Sequence, residues 1–294
     1  MLVGVFGIVP FYYAIGEPFM DLMDNRLINV SFSQIGLIFL PFLLYLLVTR
    51  QNIKQAVSWR GLSPKNFGIV LIIALAFIPM SHLIAGVLTL FFPTPEVMEN
   101  LDAARQVYPL WLTLIFTAVM PSIFEELWFT GAFYKEYQAG KVSVLKTALI
   151  IGMFFGIFHM NVAHAIFAGI GGVLWIFLVH YTRSILAPMI AHFINNASSG
   201  IVRQIAPFQE WSANVESWQY LLVFGGITLA LMPVLVLCLR RLGKFHAETQ
   251  EFHEKYENEN AESLAISAAD GKTKVFTWAF WAALVVFLVF AVLL

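Results

Sequence analysis

Eight stretches of this chain, each between 17 and 27 residues long, are almost free of charged side chains: 31–49, 67–92, 108–134, 148–164, 165–181, 184–202, 219–239 and 275–294. A helix needs about 20 apolar residues to cross the hydrocarbon of a bilayer, where its backbone groups must bond to one another because no water is there to meet them. These runs constrain the fold more than any motif does. A shorter run, 2–16, contains Pro10 and is preceded by no Lys or Arg. It therefore lacks the charged n-region of a signal peptide and reads as a first, retained span. The expected fold is all-α, a polytopic transmembrane bundle of about nine spans.

Composition excludes the main alternatives. Only 12% of the residues are charged, about half the share in a soluble domain, too few to cover a core of this size in water. A net charge of −1 offers no basic footprint for nucleic acid. The single cysteine, Cys238, excludes an internal disulfide framework and any CxxC metal site. The expected surroundings are the lipid bilayer, with no nucleic-acid partner.

Charges between the spans set an orientation. With the N terminus inside, fourteen Lys and Arg fall in inner loops, among them Arg50, Lys54, Arg60, Lys135 and Arg183, and only Arg26, Arg105 and Arg203 in outer ones. Basic residues collect on the cytoplasmic side, so the N terminus is expected there. The organisation expected is N-terminal transmembrane helices at 1–107, a core at 108–202, a further helix at 203–239, a charged cytoplasmic linker at 240–273 and a last helix at 274–294. The linker alternates acids and bases and is the candidate surface for a cytoplasmic partner.

Ionisable side chains in mid-membrane cost about 2.5–3.5 kcal/mol each, so each one is a functional hypothesis. Here they are concentrated. The span 108–134 holds Glu125 and Glu126; the next holds His159, with Asn161 and His164 toward its outer end; 184–202 holds His192, Asn195 and Asn196. His82, His180 and His164, taken singly, read as packing or interfacial histidines. His192 and Asn196 are four residues apart and share a helix face. Glu125 and Glu126 lie about 100° apart on theirs, so one faces the cluster and the other needs its own partner.

A buried carboxylate beside imidazoles can hold and deprotonate a water molecule. A His–Asn pair on a facing helix can donate hydrogen bonds to the oxyanion of a tetrahedral intermediate. With no serine or cysteine nucleophile in the set, that chemistry is peptide hydrolysis by activated water. Glu125, His159 and His192 also form a ligand set of the kind that holds catalytic zinc, although HExxH is absent.

Three motifs carry a resemblance. Glu125-Glu126-Leu127-Trp128-Phe129-Thr130, Phe155-Gly156-Ile157-Phe158-His159 and His192-Phe193-Ile194-Asn195-Asn196 resemble the EExxxR, FxxxH and HxxxN motifs of the CPBP family. This family comprises the CAAX-protease and bacteriocin-processing intramembrane endopeptidases, also called type II CAAX prenyl endopeptidases or the Abi family. The resemblance covers about residues 108–202. It implies that Glu125 is the general base activating water, assisted by His159, that His192 and Asn196 stabilise the oxyanion, and that Glu126 is the second acid of the motif. It implies no required cofactor, although the family was named for metalloproteases. It also implies a membrane-associated peptide or protein substrate.

One departure stands out: Thr130 occupies the place of the motif's arginine. Either Glu126 is protonated, or another cation (Arg183 and Lys135 being the topological candidates) faces it, or the site is impaired. The last case defines the alternative function, a non-catalytic scaffold or a bacteriocin-immunity or regulatory membrane protein. A proton- or ion-coupled carrier using the same acids and histidines ranks behind both. With no eukaryotic targeting signal in the sequence, the expected location is a bacterial plasma membrane.

Overall fold

The computed structural model describes residues 33–92, 108–159, 161–202 and 204–260, and among them all regular structure is helical. Helix α1 is Ser33–Thr49, α2 Pro64–Leu88 and α3 Leu110–Ala139. They are followed by α4 (Val144–Ile157), α5 (Val162–Thr182), α6 (Leu186–Val202), α7 (Ala206–Asn214) and α8 (Ser217–Asn260). The expected spans 2–16 and 275–294 lie outside the described residues.

Among the described residues, four helices are long and apolar enough to cross a membrane: α2, α3, α5 and the Ser217–Glu248 part of α8. Helices α1 and α4 are shorter apolar helices. The fourteen residues of α4 rise only about 21 Å, short of the roughly 30 Å hydrocarbon core. The break between α4 and α5 falls at 158–161, not at the expected 164/165. A cap moves it: Asn161 has extended backbone and its side chain accepts a hydrogen bond from the His164 N–H at 3.0 Å, so α5 starts at Val162. Hydropathy is blind to such a cap. Helix α8 runs unbroken through the expected boundary at 239/240 and carries the start of the charged segment as helix. Helix α7 falls in a stretch for which no helix was expected, and all nine of its side chains escape full burial.

Helices α4 and α5 pack along their length, while α2 lies against α8 and α6. The α4–α5 contact depends on glycine. A Cβ on Gly156 would stand 2.2 Å from the Ala165 carbonyl oxygen, and one on Gly152 would stand 2.8 Å from the Gly169 carbonyl. Small residues at these crossings let two backbones touch, which is how helices gain packing energy when lipid offers no hydrophobic driving force. Gly169 and Gly172 face α4, whereas Gly171 meets only Trp175 of its own helix. The close approach holds the His159 end of α4 against the start of α5.

The basic loops gather at one end of the bundle. There Arg50 follows α1, Lys141 follows α3 and Arg183 follows α5, each in left-handed backbone with φ of 54°, 52° and 54°. A non-glycine residue in this region costs about 1–2 kcal/mol. The cation offsets part of that cost by facing the negative end of the helix dipole.

Replacing Gly156 by Ala should force α4 and α5 apart and lower thermal stability by about 1–3 kcal/mol. Gly226→Ala, where a Cβ meets nothing within 4 Å, should be neutral or slightly stabilising through helix propensity. Equal melting temperatures for Gly156→Ala and wild type in the same detergent would disprove the glycine contact.

Candidate active site

The three motif-bearing segments converge inside the bundle. Glu125 and Glu126 end an α-helical stretch of α3, Met120–Glu126, and both are buried, Glu126 completely. Successive residues point about 100° apart on a helix, and the two acids accordingly meet different partners. Glu125 Oε1 accepts a 2.8 Å hydrogen bond from Gln34 Nε2 of α1. Glu126 Oε1 lies 2.8 Å from His192 Nδ1 of α6, and its Oε2 accepts a 2.7 Å bond from the Thr130 hydroxyl one turn on.

Both oxygens of Glu126 have a partner: the His192 imidazole lies against one and the Thr130 hydroxyl donates to the other. Arg183 and Lys135, the topological candidates for a compensating cation, line a separate cavity at the basic end. Thr130 thus supplies a donor to this carboxylate from the position of the motif's arginine.

His159 closes α4. Its Nδ1 lies 2.8 Å from the Phe155 carbonyl oxygen, which can only accept, so Nδ1 carries a proton and Nε2 is the ring nitrogen left to meet a ligand or a water. Glu125 is near enough to both His159 and His192 to act on each electrostatically. The His192 ring is sandwiched by aromatics, stacked on Trp175 at 6.0 Å and edge-on to Phe155 at 5.8 Å between centroids. Asn196 donates through Nδ2 to the Thr117 carbonyl at 3.3 Å, leaving its second N–H available by valence. Asn195 is buried beside it, and its Oδ1 and the Oε1 of Gln34 are buried acceptors with no partner among the described residues.

Among the described residues, three segments of wider, π-helical turn are present: Ser33–Phe39, Ile115–Val119 and Leu127–Phe133. Each supplies one contact to the site, through Gln34, Thr117 and Thr130 respectively. Such turns occur often at functional sites because they shift helical register locally and aim a side chain or carbonyl that a regular helix would turn away.

Sequence reasoning missed Gln34 and the partnership of His164, whose ring lies 4.2 Å from that of His159. Gln34 had a signal, an amide within an apolar span, but uncharged groups carry a smaller penalty and were passed over. His82 and His180 are packing residues, bonded at 2.9 Å to the hydroxyls of Tyr220 and Tyr134 respectively.

The ligand set Glu125, His159 and His192 does not form a ready metal centre. Among the described residues, no group of three or more His, Cys, Asp or Glu side chains is gathered to hold a metal ion.

Residues 107–198 match the family model described as Type II CAAX prenyl endopeptidase Rce1-like. That stretch, about a third of the chain, contains all three motifs and bears out the resemblance over the core. No curated protein and no solved structure matches the chain.

A double-mutant cycle tests the Thr130–Glu126 contact. Thr130→Val should destabilise the protein by about 1.5–3 kcal/mol, the range for a hydrogen bond to a charged group. Most of that loss should vanish when measured in a Glu126→Gln background. A full, additive loss would mean that the hydroxyl serves the backbone carbonyl of Glu126, 3.2 Å away, instead of the side chain.

Proposed function

We propose that this protein is an intramembrane endopeptidase, which hydrolyses a peptide bond of a membrane-associated peptide or protein with a water molecule activated by Glu125 and His159. The observation carrying this reading is that both glutamates, both motif histidines and Asn196 come together inside a helical bundle, over the same residues that match an endopeptidase family.

In this reading Glu125, oriented by Gln34, takes a proton from the bound water while His159 accepts a hydrogen bond from it through Nε2. The resulting hydroxide attacks the scissile carbonyl carbon. The tetrahedral oxyanion receives hydrogen bonds from His192 Nε2, with His192 as imidazolium, and from the second N–H of Asn196. Such donors are effective because they are already aimed before charge develops. Glu126 acts through His192: it accepts from Nδ1, fixes the ring's orientation and balances its charge. The proton on Glu125 then passes to the leaving amine as the C–N bond breaks, which restores the carboxylate. Thr130 supports Glu126 and so substitutes for the motif's arginine. No step passes through a metal. We place the protein in a plasma membrane with its basic end toward the cytoplasm.

Glu125→Gln should abolish proteolysis with folding retained, and Asn196→Ala should lower kcat about 10²–10³-fold, as for loss of one oxyanion donor. Comparative peptidomics of wild-type and Glu125→Gln strains reads the first outcome directly: at least one membrane-derived fragment should disappear. An unchanged fragment set, together with complementation by a variant lacking both carboxylates, would overturn the enzyme in favour of a non-catalytic scaffold or immunity protein.

A further inference from the structure

The basic end of the bundle encloses a cavity of about 370 Å³ whose wall includes Lys54, Arg60, Lys135, Arg183, His180 and His246. Two lysines, two arginines and two imidazoles thus share one space, and among the described residues no Asp or Glu lines it. The charges are close enough to feel one another: Arg60 acts on Lys135, and Arg183 acts on both His180 and His246.

The backbone segments that carry these cations are held together. The loop after α1 is stitched to the α5–α6 turn by two bonds, Ile185 N–H to the Ser58 carbonyl at 2.9 Å and the Ser184 hydroxyl to the Arg60 carbonyl. Lys135 Nζ of α3 reaches the Lys54 carbonyl at 3.3 Å. Arg183 itself sits in left-handed backbone at the end of α5. Three separate parts of the chain are therefore fixed around one concentration of positive charge. Such a cluster suits an anion with several acceptor oxygens, which guanidinium groups recognise in bidentate fashion.

We propose that this cavity is a binding site for a phosphate group, carried by an anionic phospholipid headgroup or by a soluble phosphate. Its level favours the lipid source. The site lies where the apolar helices end, and the wall includes Trp59, an indole nearly half exposed at that level. Basic pockets between transmembrane helices bind anionic headgroups in this way. The site is separate from the Glu126–His192 pair, so the proposal stands or falls independently of proteolysis.

Thermal unfolding of the purified full chain in zwitterionic micelles tests it. One arm adds phosphatidylglycerol with phosphatidylcholine as comparator; the other adds inorganic phosphate against chloride at matched ionic strength. At a hundredfold excess over Kd the melting temperature should rise by about 5 °C or more. A rise with phosphatidylglycerol alone identifies a lipid headgroup, and a rise with inorganic phosphate as well shows that the ion suffices. Arg60→Gln/Arg183→Gln should lose the rise, whereas Lys146→Gln, an exposed cation outside the cavity, should keep it. If the arginine pair does not fold, Lys54→Gln/Lys135→Gln decides. No rise in either arm, or an undiminished rise in the cavity variants, would overturn the site.

Discussion

The contact between Glu126 and His192 joins α3 to α6 through a carboxylate that is fully withdrawn from solvent. Isolating either partner in apolar surroundings would cost several kcal/mol. Much of the local architecture serves to make the pair tolerable. Thr130 occupies the second carboxylate oxygen, Trp175 and Phe155 flank the imidazole, and the aromatic layer around Phe129 and Phe133 closes behind α3. Trp128 is tied to α1 through an indole N–H bond to the Ile38 carbonyl at 2.9 Å, which brings Gln34 to the neighbouring Glu125. The two adjacent acids therefore organise two different helix contacts, one toward α1 and one toward α6.

That division of labour follows from helix geometry, and the proposed mechanism uses it: there Glu126 orients His192, while Glu125 serves as the base. The same logic explains why His159 is bonded to its own backbone rather than to an acid. Its Nδ1 is committed to the Phe155 carbonyl, so only Nε2 is left for chemistry. Close packing at Gly156 fixes the end of the helix that bears this ring.

Much of the site was legible in the residues because the membrane makes polar groups conspicuous. Glu125, Glu126, His159, His192 and Asn196 stand out where apolar side chains are the rule, and their helical spacing already paired His192 with Asn196. Gln34 was less visible because an amide is a common enough guest in a helix. The role of Thr130 was less visible for a different reason: matching it to an arginine directs attention to charge, whereas its hydroxyl donates a hydrogen bond to the Glu126 carboxylate. The α4–α5 break was displaced because a cap depends on one asparagine's backbone conformation, which no hydropathy window registers.

What the chain determines on its own is the class of its elements. Apolar runs with internally bonded backbone must be helices, and the distribution of Lys and Arg places the loops at 50–63, 140–143 and 183–185 at a common end. Only the tertiary structure decides which polar atoms meet. It assigns Gln34 to Glu125 and His192 to Glu126, and it draws Lys54, Arg60, Lys135 and Arg183 around one cavity. Helix periodicity specifies a direction for each side chain relative to its own axis. The rotation and depth of one helix against the next come from packing at contacts such as Gly156 with Ala165 and from the local π-helical turns. Hydrogen bonds act over about 3 Å, so a small change in that rotation or depth exchanges one partner for another.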